Sequence, residues 1–380
     1  LNPLVIDVES TTHAKGNPFH HRNQLVCIGY GSNVSWCDIA LSSQDKAAIE
    51  HAIDDADLLI GFNFKFDLHW LERYGISNWK DKLIWDCQLA QFIIQDQQVR
   101  FPSLNGSCEY WGLPGKLDTI KTQFWDNDID TLEIPKNLLE EYLRQDLAAT
   151  YSLFLKQTDF LKQKQQKLRL IKLHNKDLLG LQEMEYNGLK FNFEEAKARS
   201  AELEKQISGI DAELCSRFGN YPFNFNSGDH LSALLYGGKI TFKRSTPYEH
   251  TFKSGNRAGQ TVTRFKHDED VVEFPRVFTP LPRSELKKSG LWATDEPTLK
   301  QLKGDKKLIQ TLLERAKLDK LKTTYYDGFP KMAEEAGWVD GYLHGQYNQA
   351  VVGTGRLSSS RPNQQNITEE VNELIESRYL

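Results

Sequence analysis

The sequence predicts an α/β domain over roughly its first 160 residues, followed by a mainly helical region. Two observations predict this. Three strand-like runs open the chain, "LVIDVES", "NQLVCIGYG" and "SWCDIAL", with Gly31, Ser32 and Asn33 supplying a turn. Strands and helices then mix, which is the pattern of a sheet packed by helices. A helix is expected near residues 43–54, and "DLLIGFN" reads as another apolar strand. Residues 66–74 follow at helical spacing, with Phe66, Trp70 and Tyr74 on one side. Helices are also expected over 86–95 and 137–157.

Beyond residue 160, "LKQKQQKLRLIKLHNKDL" is basic and amphipathic and reads as a long helix ending at the turn Asn187–Gly188. Residues 194–217 read as a further charged helix. Residues 237–290 are rich in Gly, Pro, Thr and charge, and are expected to form short strands and mobile loops. Strong helix returns over 298–335, and 341–367 has turns and strand-like pieces. No internal repeat or low-complexity tract interrupts this order.

Composition narrows the class. Of 380 residues, 39% are hydrophobic and 26% charged, an ordinary globular balance with two or three domains as a prior. No apolar run approaches the ~18 residues of a membrane span, and no basic segment precedes an apolar helix as in a signal peptide. Cys27, Cys37, Cys87, Cys108 and Cys215 are scattered and never spaced C-x-x-C, which argues against a disulfide framework or zinc site. A reducing cytoplasm is therefore expected. Net charge is −5, so nucleic-acid binding must be local. The stretch 300–322 carries eight Lys/Arg against three acids, which suits a solvated helix face or a phosphate grip.

The chemistry starts in "LVIDVE". Asp7 and Glu9 stand two apart in a strand and so project to one face. Two like charges held together need a positive partner, because repulsion and desolvation both oppose them. A divalent metal is one answer; an edge strand with its polar face in water is the other. Two more segments bear on the choice. "IGFNFKFDLHWL" puts Asp67 just after a buried strand, near a helix start. "EEYLRQDLAATYSLF" puts Tyr142 and Asp146 at i and i+4, on one helix side. Tyr142 is suited to orient a water through its hydroxyl, or to half-buried packing. Four acids from three separated segments suit Mg²⁺ or Mn²⁺ rather than zinc. Two such ions roughly 4 Å apart are the usual device for in-line phosphoryl displacement.

"DVE", "NFKFD" and "YLRQD" together resemble the three exonuclease motifs of the DnaQ-like, or DEDD, 3′–5′ exonucleases. The Tyr four residues before the last Asp marks the DEDDy subgroup, which includes the proofreading domain of family A DNA polymerases. The resemblance implies a ribonuclease H-like fold with a mixed five-stranded sheet. It implies that Asp7, Glu9, Asp67 and Asp146 hold two Mg²⁺ (or Mn²⁺) ions and that Tyr142 positions the attacking water. Asn63 would contact the terminal nucleotide, and Lys65 and Phe66 also match family positions. The segment departs from the family after Glu9, where Ser10, Thr11, Thr12 and His13 stand in place of an apolar wedge. His13 could stack on a base or lie on the surface.

"LHGQYNQAVVGTGRLSSSRPNQQNI" resembles the family A segment that precedes the palm carboxylates. The resemblance implies that Arg356 reaches the minor groove at the primer terminus, where acceptors are nearly sequence-independent. Asn363, Gln365 and Asn366 match the polar cluster along the template–primer path, while Arg361 and Gln364 depart from it. "LLGLQEMEYNGLKFN" looks like the helix leading into the polymerase region, and "WATDEPTLKQL" and "LLERAKLDKLKTTYYDGFP" look like thumb helices. The thumb reading makes Lys320 and Lys322 phosphate contacts. The 237–290 segment is reminiscent of bacteriophage relatives, which often enlarge this region.

The implied organisation is a DEDDy exonuclease domain over 1–160, a thumb and connecting region over 161–340, and the start of a palm over 341–380. The "DYSQ"-like and "HDE"-like palm motifs and the fingers do not occur in the 380 residues. Leu1 is not an initiator Met, and the chain ends at Arg378, Tyr379 and Leu380. A truncated enzyme or one chain of a split polymerase, with palm and fingers on a separate polypeptide, is therefore expected. The expected function is proofreading 3′–5′ DNA exonuclease, acting on a single-stranded 3′ end or a primer–template duplex. The alternatives are a non-catalytic DNA-binding and assembly subunit, and an RNase D-like RNA exonuclease.

Overall fold

The computed structural model describes all residues except 39, 116–118, 255–258, 289 and 378–380, together with all side chains in its strands and helices except that of His267. The chain divides into two compact units, Leu1–Phe193 with Phe329–Leu380, and Glu194–Gly328. These boundaries differ from the three expected segments, because residues 161–193 and 329–380 pack with the first 160.

The first unit is built on a five-stranded sheet. Its strands are β1 (Pro3–Ser10), β2 (Leu25–Tyr30) and β3 (Asn33–Trp36), then β4 (Leu58–Gly61) and β5 (Leu83–Asp86), with α1 (Ser43–Asp55) and α2 (Lys65–Arg73) around β4. The order is β3-β2-β1-β4-β5. The first three strands pair antiparallel, whereas β1, β4 and β5 pair parallel, so the sheet is mixed. This is the α/β architecture expected. A two-residue loop joins β2 to β3, and Gly31 there takes a left-handed φ of 60°. The third strand ends at Trp36, earlier than "SWCDIAL" suggested; Ile39 of that run lies outside the described residues.

Helices α3 (Cys87–Ile94), α4 (Leu104–Tyr110), α5 (Thr119–Gln123) and α6 (Lys136–Leu161) follow, and α7 (Gln165–Asn187) leads to β6 (Leu189–Phe191). Helix α6 buries Leu139, Leu143, Leu147 and Leu153 along one stripe, with Tyr142 and Asp146 buried among them. Its close seat on the sheet has a local cause. Gly29 pairs with Asp7 across β1 and β2, and a Cβ there would stand 2.7 Å from Leu147 and 3.0 Å from Leu143. Only a residue with no side chain lets the helix settle over this pair of strands.

The second unit holds most of α8 (Phe193–Arg217), then α9 (Gly228–Tyr236), β7 (Gly238–Thr251), β8 (Thr261–Phe274), α10 (Glu296–Leu299) and α11 (Lys306–Lys320). Its core joins Leu214, Tyr236, Phe242, Phe274 and Leu312. The expectation of short strands within 237–290 is corrected here. Strands β7 and β8 pair over fourteen residues each as one long ribbon. Residues 255–258 and 289 of that segment lie outside the described residues. The expected helix over 298–335 is broken between Leu299 and Lys306, and its middle is a π-helical turn over Leu321–Tyr326 before α12 (Gly328–Glu335).

The last part of the chain returns to the first unit. Strands β9 (Tyr342–Leu343) and β12 (Ile375–Glu376) flank β6, and β10 (Gln346–Asn348) pairs with β11 (Ser358–Ser360); α13 (Glu369–Asn372) lies between β11 and β12 in sequence. All five cysteines are free thiols. Among the described residues, no helix is long and apolar enough to cross a membrane.

Candidate metal-dependent nuclease site

Three acids converge at the face of β1. Asp7, Glu9 and Asp146 each offer a carboxylate oxygen, and these oxygens lie within 4.8 Å of one another. Strand alternation puts Asp7 and Glu9 on the face that α6 covers, and the Gly29 gap brings Asp146 down to them. The concentrated negative charge is visible on a neighbour. Burial, followed by Glu9 and Asp7, pushes the Cys27 thiol far above its usual range.

Asp67 joins the group from another direction. The parallel ladder between β1 and β4 ends at Val5 and Ile60. Beyond it the amide of Val8 has no strand to donate to, and it donates to Asp67 Oδ1 at 3.0 Å. A carboxylate thus completes the edge of β1 between the two acids that β1 carries. Burial, then the charge of Asp7, raises the Asp67 carboxyl well above the ordinary range, as expected for like charges crowded out of water. Tyr142 is buried one helical turn before Asp146 and donates its hydroxyl to that carboxylate. Burial first, then Asp146, Glu9 and Asp7, pushes the phenol strongly upward, so it remains protonated and able to donate. Three carboxylates within 4.8 Å of one another, with Asp67 bound to the amide between two of them, offer oxygen donors that fit hard divalent cations such as Mg²⁺ or Mn²⁺.

Two buried acids that support this geometry lie outside the motifs. Asp86 caps α3, accepting from Gln88 N at 2.7 Å and Leu89 N at 3.2 Å. It also accepts from Phe64 N at 2.9 Å and Asn63 N at 3.3 Å. One carboxylate therefore holds the loop that carries Asn63, which is exposed at a left-handed φ of 54°. An Asp just before the apolar run "CQLAQFII" was a readable N-cap signal. Glu185 of α7 is the other acid, 4% exposed and placed among Lys65, His69 and Tyr347. It gave no local signal, since its partners lie more than a hundred residues away in the chain.

The remaining expected contacts divide by exposure. Arg356, Asn363, Gln365 and Asn366 are exposed, with Asn363 Oδ1 accepting from Gln365 N. Lys65 is half-buried and donates to Glu185 and to the carbonyl of Tyr347, so its ammonium joins an internal network. Lys322 is likewise committed, to Asp327 at 2.7 Å and Glu204 at 3.1 Å, whereas Lys320 is exposed. His13 stacks on His20 with ring centroids 5.3 Å apart. Gln364, outside the family pattern, accepts from the Tyr347 hydroxyl at 2.5 Å.

The fold is a mixed five-stranded sheet packed by helices, with an acidic centre on the face of β1 that α6 covers. The structure of the POL domain of Pol1 from M. smegmatis, in complex with DNA primer-template and dNTP, superposes with a TM-score of 0.68 at 18% identity. It covers 98% of this chain and 54% of that one, a likeness of fold. Residues 276–379 match the model of DNA polymerase family A. DNA polymerase I of Synechocystis sp. is 27% identical over 309 residues, 80% of this chain and 26% of that protein. The thermostable DNA polymerase I of Thermus filiformis is 30% identical over 187 residues, 49% of this chain and 17% of that protein. The likeness to family A DNA polymerases lies over residues 276–379, and the likeness to DNA polymerase I proteins extends over up to 80% of the chain. The chain spans about a quarter or less of the length of these relatives.

Proposed function

We propose that the chain carries a proofreading 3′–5′ DNA exonuclease site that hydrolyses phosphodiester bonds and releases 5′-nucleotides. The observation that carries this reading is the meeting of Asp7, Glu9 and Asp146 within 4.8 Å, with Asp67 bound to the amide between the first two. Asp7, Glu9, Asp67 and Asp146 would hold two divalent cations, Mg²⁺ by preference. When bound, such a pair activates water and stabilises the departing 3′ oxygen. Tyr142 holds and orients the attacking water through its protonated hydroxyl. Asn63 meets the terminal nucleotide from a loop fixed by Asp86. Arg356, with Asn363, Gln365 and Asn366, would contact the primer–template duplex, and Lys320 would add phosphate affinity. A separate palm–fingers chain is a candidate partner.

The test uses single-stranded DNA labelled at its 5′ end, with Mg²⁺. The variant D7A/E9A is expected to lose cleavage by at least ~10³-fold and to keep DNA binding in the presence of a chelator. Degradation by that variant at the wild-type rate overturns the reading. Matched DNA and RNA strands, compared in the same assay, are expected to show faster cleavage of DNA.

A further inference from the structure

Helix α2 presents Asp67 to the acidic centre on one side and two other residues on the opposite side. Lys65 and His69 are four apart and share a face, while Asp67 stands about 200° around the helix from Lys65. Both rear residues end on one carboxylate. Lys65 Nζ donates to Glu185 Oε1 and His69 Nε2 donates to Glu185 Oε2 at 2.9 Å. The partners settle the histidine tautomer, since Gln182 Nε2 donates to His69 Nδ1 at 3.3 Å. Glu185 also accepts from Tyr347 N, and its own carbonyl lies 3.0 Å from His344 Nδ1. Phe19 closes this cluster by stacking on His344, with centroids 4.1 Å apart.

We infer that Glu185 is a positioning residue for the acidic centre, a role that rests on the exonuclease reading above. It grips the rear face of α2 and so sets the rotation of the helix about its own axis, which decides where Asp67 points. The Val8 amide holds the front of the same helix through Asp67 itself. The two grips act on opposite sides, and removing the rear one leaves Asp67 and the buried Leu68, Trp70 and Leu71 to hold the alignment. Through Tyr347 the same carboxylate fixes β10, which runs toward Thr354–Ser359, to the helix of the nuclease site. A plain stability role would need the burial of Glu185 but not its fork across both rear residues of α2.

Partners behind metal ligands typically change metal affinity or activity by about 10–100-fold when removed. Glu185→Ala is expected to lower kcat on single-stranded DNA by roughly that range, with KM within about threefold of wild type. Glu185→Gln, which keeps an acceptor for Tyr347 N, is expected to fall between the two. Without DNA, Mn²⁺ affinity followed by electron paramagnetic resonance is expected to weaken about tenfold in Glu185→Ala. Ile53→Ala, a core truncation in α1, supplies a control that lowers the melting temperature and leaves kcat and Mn²⁺ affinity unchanged. If both Glu185 variants match that control in kcat and in Mn²⁺ affinity, the inference is overturned. A wild-type protein with no nuclease activity refutes the exonuclease reading instead, and Mn²⁺ affinity then decides the positioning role by itself.

Discussion

Glu185 and Asp86 are both buried acids, yet their carboxyls shift in opposite directions. Asp86 accepts only backbone amides, and burial outweighs them, so its carboxyl rises. Burial also pushes Glu185 upward, but the His69 hydrogen bond and the Lys65 charge overcome it and hold the carboxyl below its usual range. A formal cation offsets desolvation where dipoles alone do not. The sign of the linkage follows. A carboxyl depressed by folding contributes stability above its unfolded value of about 4.3, and loses it as pH falls through the lower folded value. The stability gap between wild type and Glu185→Gln should therefore be full near about pH 7 and shrink toward about pH 3, as urea melts across that range would reveal. A gap that widens on acidification contradicts the assigned charge state. Asp7, Glu9, Tyr142 and Asp146 were legible as single letters, because strand and helix periods assign their faces. Glu185 was not, because nothing near it in sequence marks which residues it meets.

At the scale of elements, the contact of α6 with β1 and β2 decides whether the acids meet at all. Gly29 makes that contact possible, and a methyl group there has little space between Leu143 and Leu147. Both obstructing groups are side chains, so the helix can shift rather than fail to pack. Gly29→Ala is expected to cost about 1–3 kcal/mol, as overpacking in a tight core usually does. It should also slow the proposed DNA cleavage more than that loss of stability explains, since Asp146 and Tyr142 move with the helix. Denaturation curves and single-turnover cleavage, run on the same preparation, separate these two effects. An unchanged cleavage rate in a destabilised variant would show that α6 placement is looser than argued. The long β7–β8 ribbon was hidden from the sequence for a different reason. Gly, Pro and charge along 237–290 are turn signals, but on a ribbon exposed on both faces from Lys243 to Glu249 no buried face forces alternation.

For the whole molecule, net charge misleads about where DNA would be held. The chain is acidic at −5, and a concentrated basic stretch lies over residues 300–322. Folding divides that stretch. Arg315 is buried and forked onto Asp211 at 2.8 and 3.2 Å, and Lys322 is paired with Asp327 and Glu204. Lys320 remains exposed. Lys320→Gln should weaken duplex binding and reduce the slope of log affinity against log salt by about 0.9, the value for one phosphate contact. Lys322→Gln should leave that slope unchanged and lower the melting temperature, because Asp327 and Glu204 lose a shared half-buried partner. Anisotropy titrations across salt, paired with thermal melts, distinguish the two. Equal slopes for Lys320→Gln and wild type would remove Lys320 from the DNA interface.

The sequence by itself determined the local facts: that Asp7 and Glu9 share one strand face, that Tyr142 and Asp146 share one helix face, and that an apolar strand leads to Asp67. Each follows from a backbone period of two or 3.6 residues, which needs no knowledge of distant chain. Only the tertiary structure decided that these faces meet, that Lys65 and Lys322 are spent inside the protein, and that Glu185 stands behind α2. Those outcomes depend on packing between segments far apart in the chain, where a missing side chain at Gly29 and a Val8 amide beyond the end of the β1–β4 ladder choose the partner.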